Sequence, residues 1–109
     1  MLRKITEEVF EELVLRSTRP VLVDFGAEWC HPCKKLDPLV EELAEDWKDR
    51  VDVYKIDVDE SASIAMAHAV MGVPTLMLFI QGETAARLTG FAHKNKLKRV
   101  FEANLPPQN

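Results

Sequence analysis

The stretch Val21-Leu22-Val23-Asp24-Phe25 is apolar on both faces of a strand apart from one acid. A strand with water on one side alternates apolar and polar residues, so this run predicts a strand in the middle of a sheet covered on both faces. The flanking pattern agrees. From about His31 to Trp47, Leu36, Leu39, Val40, Leu43 and Ala44 recur at helical spacing, with Pro38 inside, where the lost backbone bond predicts a bend. Val51 to Asp57 reads as a second strand, and Ser61 to Met71 as a short helix capped by Ser61 and stopped by Gly72. This β-α-β-α order implies parallel strands. The runs Thr75 to Ile80 and Thr84 to Leu88 flank Gln81-Gly82-Glu83, too close for a crossover helix, and must pair as an antiparallel hairpin. An amphipathic helix capped by Thr6 (Val9, Phe10, Leu13, Val14) runs to about Arg16, and a final one (Leu97, Val100, Phe101, Leu105) ends at Pro106 and Pro107. The expected class is α/β with a mixed sheet.

At 109 residues, with no repeat or linker-like composition, the chain reads as one domain over residues 1–105 and a short tail over 106–109. A net charge of −4 argues against nucleic acid or an anionic membrane surface as partner. The longest apolar run, Val73 to Ile80, is interrupted by Pro74 and Thr75 and is far shorter than the ~20 residues that span a bilayer. Arg3 and Lys4 lead into Glu7, Glu8, Glu11 and Glu12 rather than an apolar segment, so no secretory signal is expected and the expected location is the cytoplasm. Charge is uneven. Residues 1–60 hold 9 basic and 16 acidic side chains, net −7, and residues 61–109 hold 5 and 2, net +3. Lys94, Lys96, Lys98 and Arg99 supply most of the excess, read here as a solvated helix face.

The two cysteines lie in one four-residue stretch, Cys30-His31-Pro32-Cys33, and cannot staple distant segments. Opening a helix straight after a buried strand, the first sulfur meets unpaired backbone N–H groups at the positive end of the helix dipole, which favours its thiolate. Cys30 is therefore the expected attacking thiol. Cys33, one turn on, is placed to resolve a mixed disulfide. Pro32 falls in the first turn, which has no intrahelical N–H bond to lose, and holds the two sulfurs in a fixed relation. A zinc site is the competing reading, but one cysteine pair with His31, His68 and His93 at no usual spacing falls short of four ligands, so no metal is expected.

Val23-Asp24-Phe25, Ala27-Glu28-Trp29-Cys30, Pro32-Cys33-Lys34, Pro38, Gly72-Val73-Pro74-Thr75, Gly82 and Gly90 together resemble the thioredoxin family, in order and at its spacings, over about residues 5 to 105. The resemblance implies a central five-stranded mixed sheet flanked by four helices. It implies a thiol–disulfide oxidoreductase that reduces protein disulfides with no bound cofactor and is recycled by an NADPH-dependent thioredoxin reductase. It also assigns roles. Asp24 assists proton transfer at the resolving thiol, with Lys55 nearby, a use that suits a buried carboxyl with a raised pKa. A salt bridge of Asp24 with Lys55 is the competing structural reading. Val73-Pro74 corresponds to a cis-proline loop facing the cysteines, and Gly72, Gly90 and the exposed Trp29 border the groove that takes an extended substrate segment.

Two positions depart from the family pattern. His31 stands where glycine is usual. A partly protonated imidazole beside Cys30 favours the thiolate, so a contribution of ~1 kcal/mol raises the two-electron potential by about 20 mV and makes it sensitive to pH near about 6 to 7. The alternatives are accordingly a more oxidising disulfide donor or isomerase, or a binding module on the same fold. Gly26 replaces a larger residue and predicts looser packing before the cysteines.

Overall fold

The structure, a computed structural model, describes residues 2–107. Strand β1 (Arg3–Lys4) precedes a helical segment made of α1 (Glu7–Phe10) and a π-helical turn over Glu11–Leu15. Then follow β2 (Val21–Gly26), α2 (His31–Asp46), β3 (Asp52–Asp57), α3 (Ala62–Ala67), β4 (Thr75–Ile80), β5 (Glu83–Thr89) and α4 (Lys94–Glu102). The strands form one sheet in the order β1-β3-β2-β4-β5. The first three are mutually parallel, and β4 and β5 run antiparallel to their neighbours.

β2 lies at the centre, and its period of two sorts its side chains between two cores. Val21, Val23 and Phe25 join Phe10, Val14, Ile56, Met77 and Phe79 beneath α1 and α3. Leu22 joins Leu36, Val40, Leu43, Trp47, Leu97 and Phe101 beneath α2 and α4. Both faces are covered, which is why the strand reads as continuously apolar. Asp24, of the same parity as Leu22, therefore points under α2 and is fully buried. Each fully buried Leu or Phe contributes roughly 1.5–3 kcal/mol, and α4 adds a hydrogen bond from Trp47 Nε1 to Glu102 Oε2 at 2.8 Å.

Several local expectations are corrected. The patterning located four strands; the fifth, β1, is two exposed residues whose pairing with Tyr54 and Lys55 carries no apolar signature. Thr6 occupies the cap position of α1 without a side-chain bond. Ser61 likewise caps nothing, and its hydroxyl is buried without a partner. α3 stops at Ala67, not at Gly72. Ala69, at φ +54°, reverses the chain, and the N–H groups of Ala69 and Val70 bond Met66 O and Ala65 O. The Arg87 guanidinium bonds the carbonyls of His68 and Ala69. α4 ends at Glu102, ahead of the prolines, and Asn104 Nδ2 bonds Val100 O. Lys94, at the start of the basic run, is not merely solvated: it bridges Glu42 and Asp46 of α2 at 3.1 and 3.0 Å. The one long helix expected after the cysteines is α2, with Pro38 inside it. Of the tail 106–109, the last two residues lie outside the described residues, as does Met1.

Candidate active site

The site forms where β2 ends and β4 begins. Those strands are antiparallel, and Phe25 pairs with Thr75, so the loop after β2 and the loop before β4 meet at one edge of the sheet. Cys30, in extended conformation, caps α2. Its N–H bonds Ala27 O at 3.1 Å, and its Sγ accepts the N–H of Cys33 at 3.2 Å. His31 and Pro32 fill the first two helical positions and are exposed. Cys30 and Cys33 are joined as a disulfide with Cα atoms 5.3 Å apart, and both are nearly buried, at 4% and 2% exposure.

Val73-Pro74 is a cis peptide, and Val73 packs against the group formed by Ala27, Cys30 and Cys33. The loop is pinned from two sides. Thr75 Oγ1 donates to Gly72 O at 2.7 Å, and Gly90 N–H donates to Pro74 O at 2.8 Å. Gly90 needs its φ of +93°, a region unfavourable to other residues, whereas Gly72 has open space where a Cβ would stand. Trp29 is 70% exposed, with its indole Nε1 donating to Asp59 Oδ2 at 2.8 Å. Met71 and Phe91 are also exposed, and Lys35 lies 5.7 Å from the Phe91 ring centre. Trp29, Val73, Pro74 and the disulfide thus gather at one edge. Met71, Phe91 and Asp59 escaped the sequence reading because isolated surface residues carry no periodic signal.

Beneath the disulfide, spacing places the polar groups. A Cβ on Gly26 would stand 3.5 Å from Cys33 Sγ, an ordinary van der Waals distance, so Gly26 lies under Cys33 with room for a side chain to begin between them. Two strand residues advance about 6.7 Å and four helical residues about 6 Å, which sets Asp24 abreast of Asp37 as Gly26 is abreast of Cys33. Lys55, directly opposite Asp24 on β3, points the same way. Its Nζ bonds Asp37 Oδ2 at 2.5 Å rather than Asp24, so the competing reading, an Asp24–Lys55 salt bridge, gives way to a Lys55–Asp37 bridge. Both Asp24 oxygens and Asp37 Oδ1 are buried without a hydrogen-bond donor. Two carboxylates have no proton to share. A proton on Asp24 turns the pair into a donor and an acceptor, with Asp37 within reach.

Burial raises the Asp24 pKa well above the ordinary carboxyl range, the hydrogen bond and charge of Asp37 raise it further, and the Lys55 charge only partly opposes them. For Lys55, burial pulls downward, but the hydrogen bond to Asp37 and the charges of Asp37, Asp24 and Glu28 outweigh it, and the net movement is up. Among the described residues no group of three His, Cys, Asp or Glu side chains could hold a metal ion, and no helix is long and apolar enough to cross a membrane.

The thioredoxin family model matches residues 1–103. This chain belongs to the thioredoxin family. It is 43% identical to the thioredoxin of Rickettsia bellii over 105 residues, covering 96% of this chain and all of that protein. It is also 41% identical to that of Acidithiobacillus ferridurans, over 93% of this chain and 94% of the relative, and 38% identical to thioredoxin 1 of Synechococcus elongatus over the same shares. As a thioredoxin-family protein with its cysteine pair joined at the opening of α2, it is a thiol–disulfide oxidoreductase. The disulfide is the oxidised state of the redox pair, and Asp24, Asp37 and Lys55 take the arrangement above in that state.

Proposed function

We propose that the protein reduces disulfides of other proteins, with Cys30 as nucleophile and Cys33 as resolving thiol. One observation carries the assignment: the Cys30 sulfur accepts a backbone N–H at the opening of α2, whereas Cys33 lies one turn inside, under Gly26. A thiolate is better supported at the first position than at the second. In the reducing direction the Cys30 thiolate attacks one sulfur of the substrate disulfide and expels the other as a thiolate. Cys33, its proton removed, then attacks Cys30 Sγ and releases the second substrate thiol. Asp24 is the acid/base for Cys33, supported by its burial and raised pKa.

Trp29, Gly72, Val73, Pro74 and Gly90 form the surface against which an extended substrate segment lies. His31, Pro32 and Lys55 tune the couple. No bound cofactor is needed, since the electrons reside in the cysteine pair. The oxidised protein is returned to the dithiol by a thioredoxin reductase drawing on NADPH, in the cytoplasm, and residues 1–105 act as the single working unit with 106–109 as a tail.

The test pairs two serine variants with insulin as disulfide substrate. Cys33→Ser should accumulate a covalent mixed disulfide through Cys30, and Cys30→Ser should form none. The reverse pattern refutes the assignment. Activity surviving loss of both cysteines points to a binding module, and a measured potential near those of disulfide donors points to the oxidising direction.

A further inference from the structure

The Asp37 carboxylate takes Lys55, the one cation that acts on Asp24 among the described residues, and meets Asp24 with a buried oxygen that has no other partner. Asp24 is fully buried and does not line the cleft beneath α2, whereas Cys33, Asp37 and Lys55 do. That cleft, about 270 Å³ and open to solvent, is also lined by Ala27, Glu28 and Glu41. Asp37 therefore stands between Asp24 and water.

We propose that Asp37 is a positioning residue for the resolving step: it withholds Lys55 from Asp24 and shares one proton with it, so that protons leave Asp24 through Asp37 and the cleft. This rests on the reading of Asp24 as the acid/base for Cys33. With the shared proton on Asp37, Asp24 is a carboxylate and accepts the proton of the Cys33 thiol. The Cys33 electron pair forms the bond to Cys30 Sγ, and the bond from Cys30 to the substrate sulfur breaks with its electrons on the leaving thiolate. The two protein thiols are oxidised and the substrate disulfide is reduced. One proton passes from Asp37 to water at the cleft or to the leaving thiolate, and the pair again holds one.

The charged groups around this relay come from every neighbouring element. Asp24 comes from β2, Asp37 and the Cys33 sulfur from α2, and Lys55 from β3. Glu28 precedes α2 and acts on Lys55, while Lys4, Lys34, Glu41 and Asp57 line the outer cleft. Lys55 fixes the direction of the relay. Bonded to Asp37, it steadies negative charge on the outer carboxylate, so the shared proton rests on Asp24, moves out to Asp37 as Asp24 takes the Cys33 proton, and leaves Asp37 a carboxylate again once it has passed on.

Asp37→Asn keeps the side-chain shape, abolishes the acceptor charge and frees Lys55 to approach Asp24. Titration of the Asp24 carboxyl by carbon NMR in the oxidised protein should then show its midpoint falling by at least about one pH unit. In the reduced protein, resolution of a mixed disulfide between Cys30 and thionitrobenzoate, read by release of the coloured thiolate, should shift its acid limb in the same direction, and Asp37→Glu should restore both. An unchanged Asp24 midpoint with an unchanged pH profile overturns the role of Asp37 and routes the Cys33 proton directly to the cleft. Asp24→Asn separates the two readings. If it leaves the resolution profile untouched, the acid/base role of Asp24 fails; if it alters the profile and Asp37→Asn does not, only the role of Asp37 fails.

Discussion

Replacing Asp24 by Asn changes a titrating group into a neutral one of the same shape, with the core packing retained. In the unfolded chain Asp24 ionises at about 3.9, and in the folded protein its pKa is raised, by burial first and by Asp37 second. The folded state therefore keeps a proton that the unfolded state has released. Above the unfolded value, rising pH costs the wild type stability, until the folded pKa is passed and the loss becomes constant. One group sets a limiting slope of about 1.4 kcal/mol per pH unit inside that window, and the variant lacks it. For a domain of this size each kcal/mol corresponds to roughly 4–8 °C in Tm. Guanidinium unfolding of both oxidised proteins across a pH series measures the difference free of thiol titration. The Asn variant should be the more stable, by a margin that widens with pH through the window. Parallel stability curves would refute the reasoning, because they would mean that Asp24 ionises alike in folded and unfolded chains.

Three further outcomes follow from named geometry. Gly82→Ala puts a Cβ 2.7 Å from Leu15 O at φ +82°, and should destabilise by more than the ~1–2 kcal/mol of the left-handed conformation alone, read by denaturant midpoint. Ala69→Gly removes the same penalty at φ +54° and should gain about 1 kcal/mol in the same assay, its Arg87 cap intact. His31→Gly should lower the reduction potential by ~20 mV. Equal potentials would show that the exposed imidazole at the first helical position does not reach Cys30.

The central strand, the helix after the cysteines and the hairpin were legible because their side chains are sorted by packing, and packing imposes a period. β1 was not, since two exposed residues can satisfy a neighbour's backbone without any apolar pattern. The end of α3 misled for a related reason: glycine is the usual residue for a left-handed reversal, and here Ala69 takes that conformation while two hydrogen bonds from Arg87 satisfy the freed carbonyls. At the site, Cys30, Cys33 and the oddity of Asp24 were visible as local exceptions to an apolar context. The partner of Lys55 was not. Asp37, beside Pro38 on a helix rich in acids, looks like surface, and only the spacing of four residues from Cys33 puts it on the inward face.

The pairing of Phe25 with Thr75 ties chemistry to architecture. Sliding β2 by a single residue would turn Asp24 into the opposite core, carry Gly26 away from Cys33 and pull the cysteine loop out of line with Val73-Pro74, all at once. The same slip would bury a carboxyl among Phe10, Val14 and Phe79 and expose three apolar side chains to the wrong layer. Misaligned folding thus has no partly active product. Correct strand alignment serves as an inspection step, and any molecule that passes it has its redox centre already assembled.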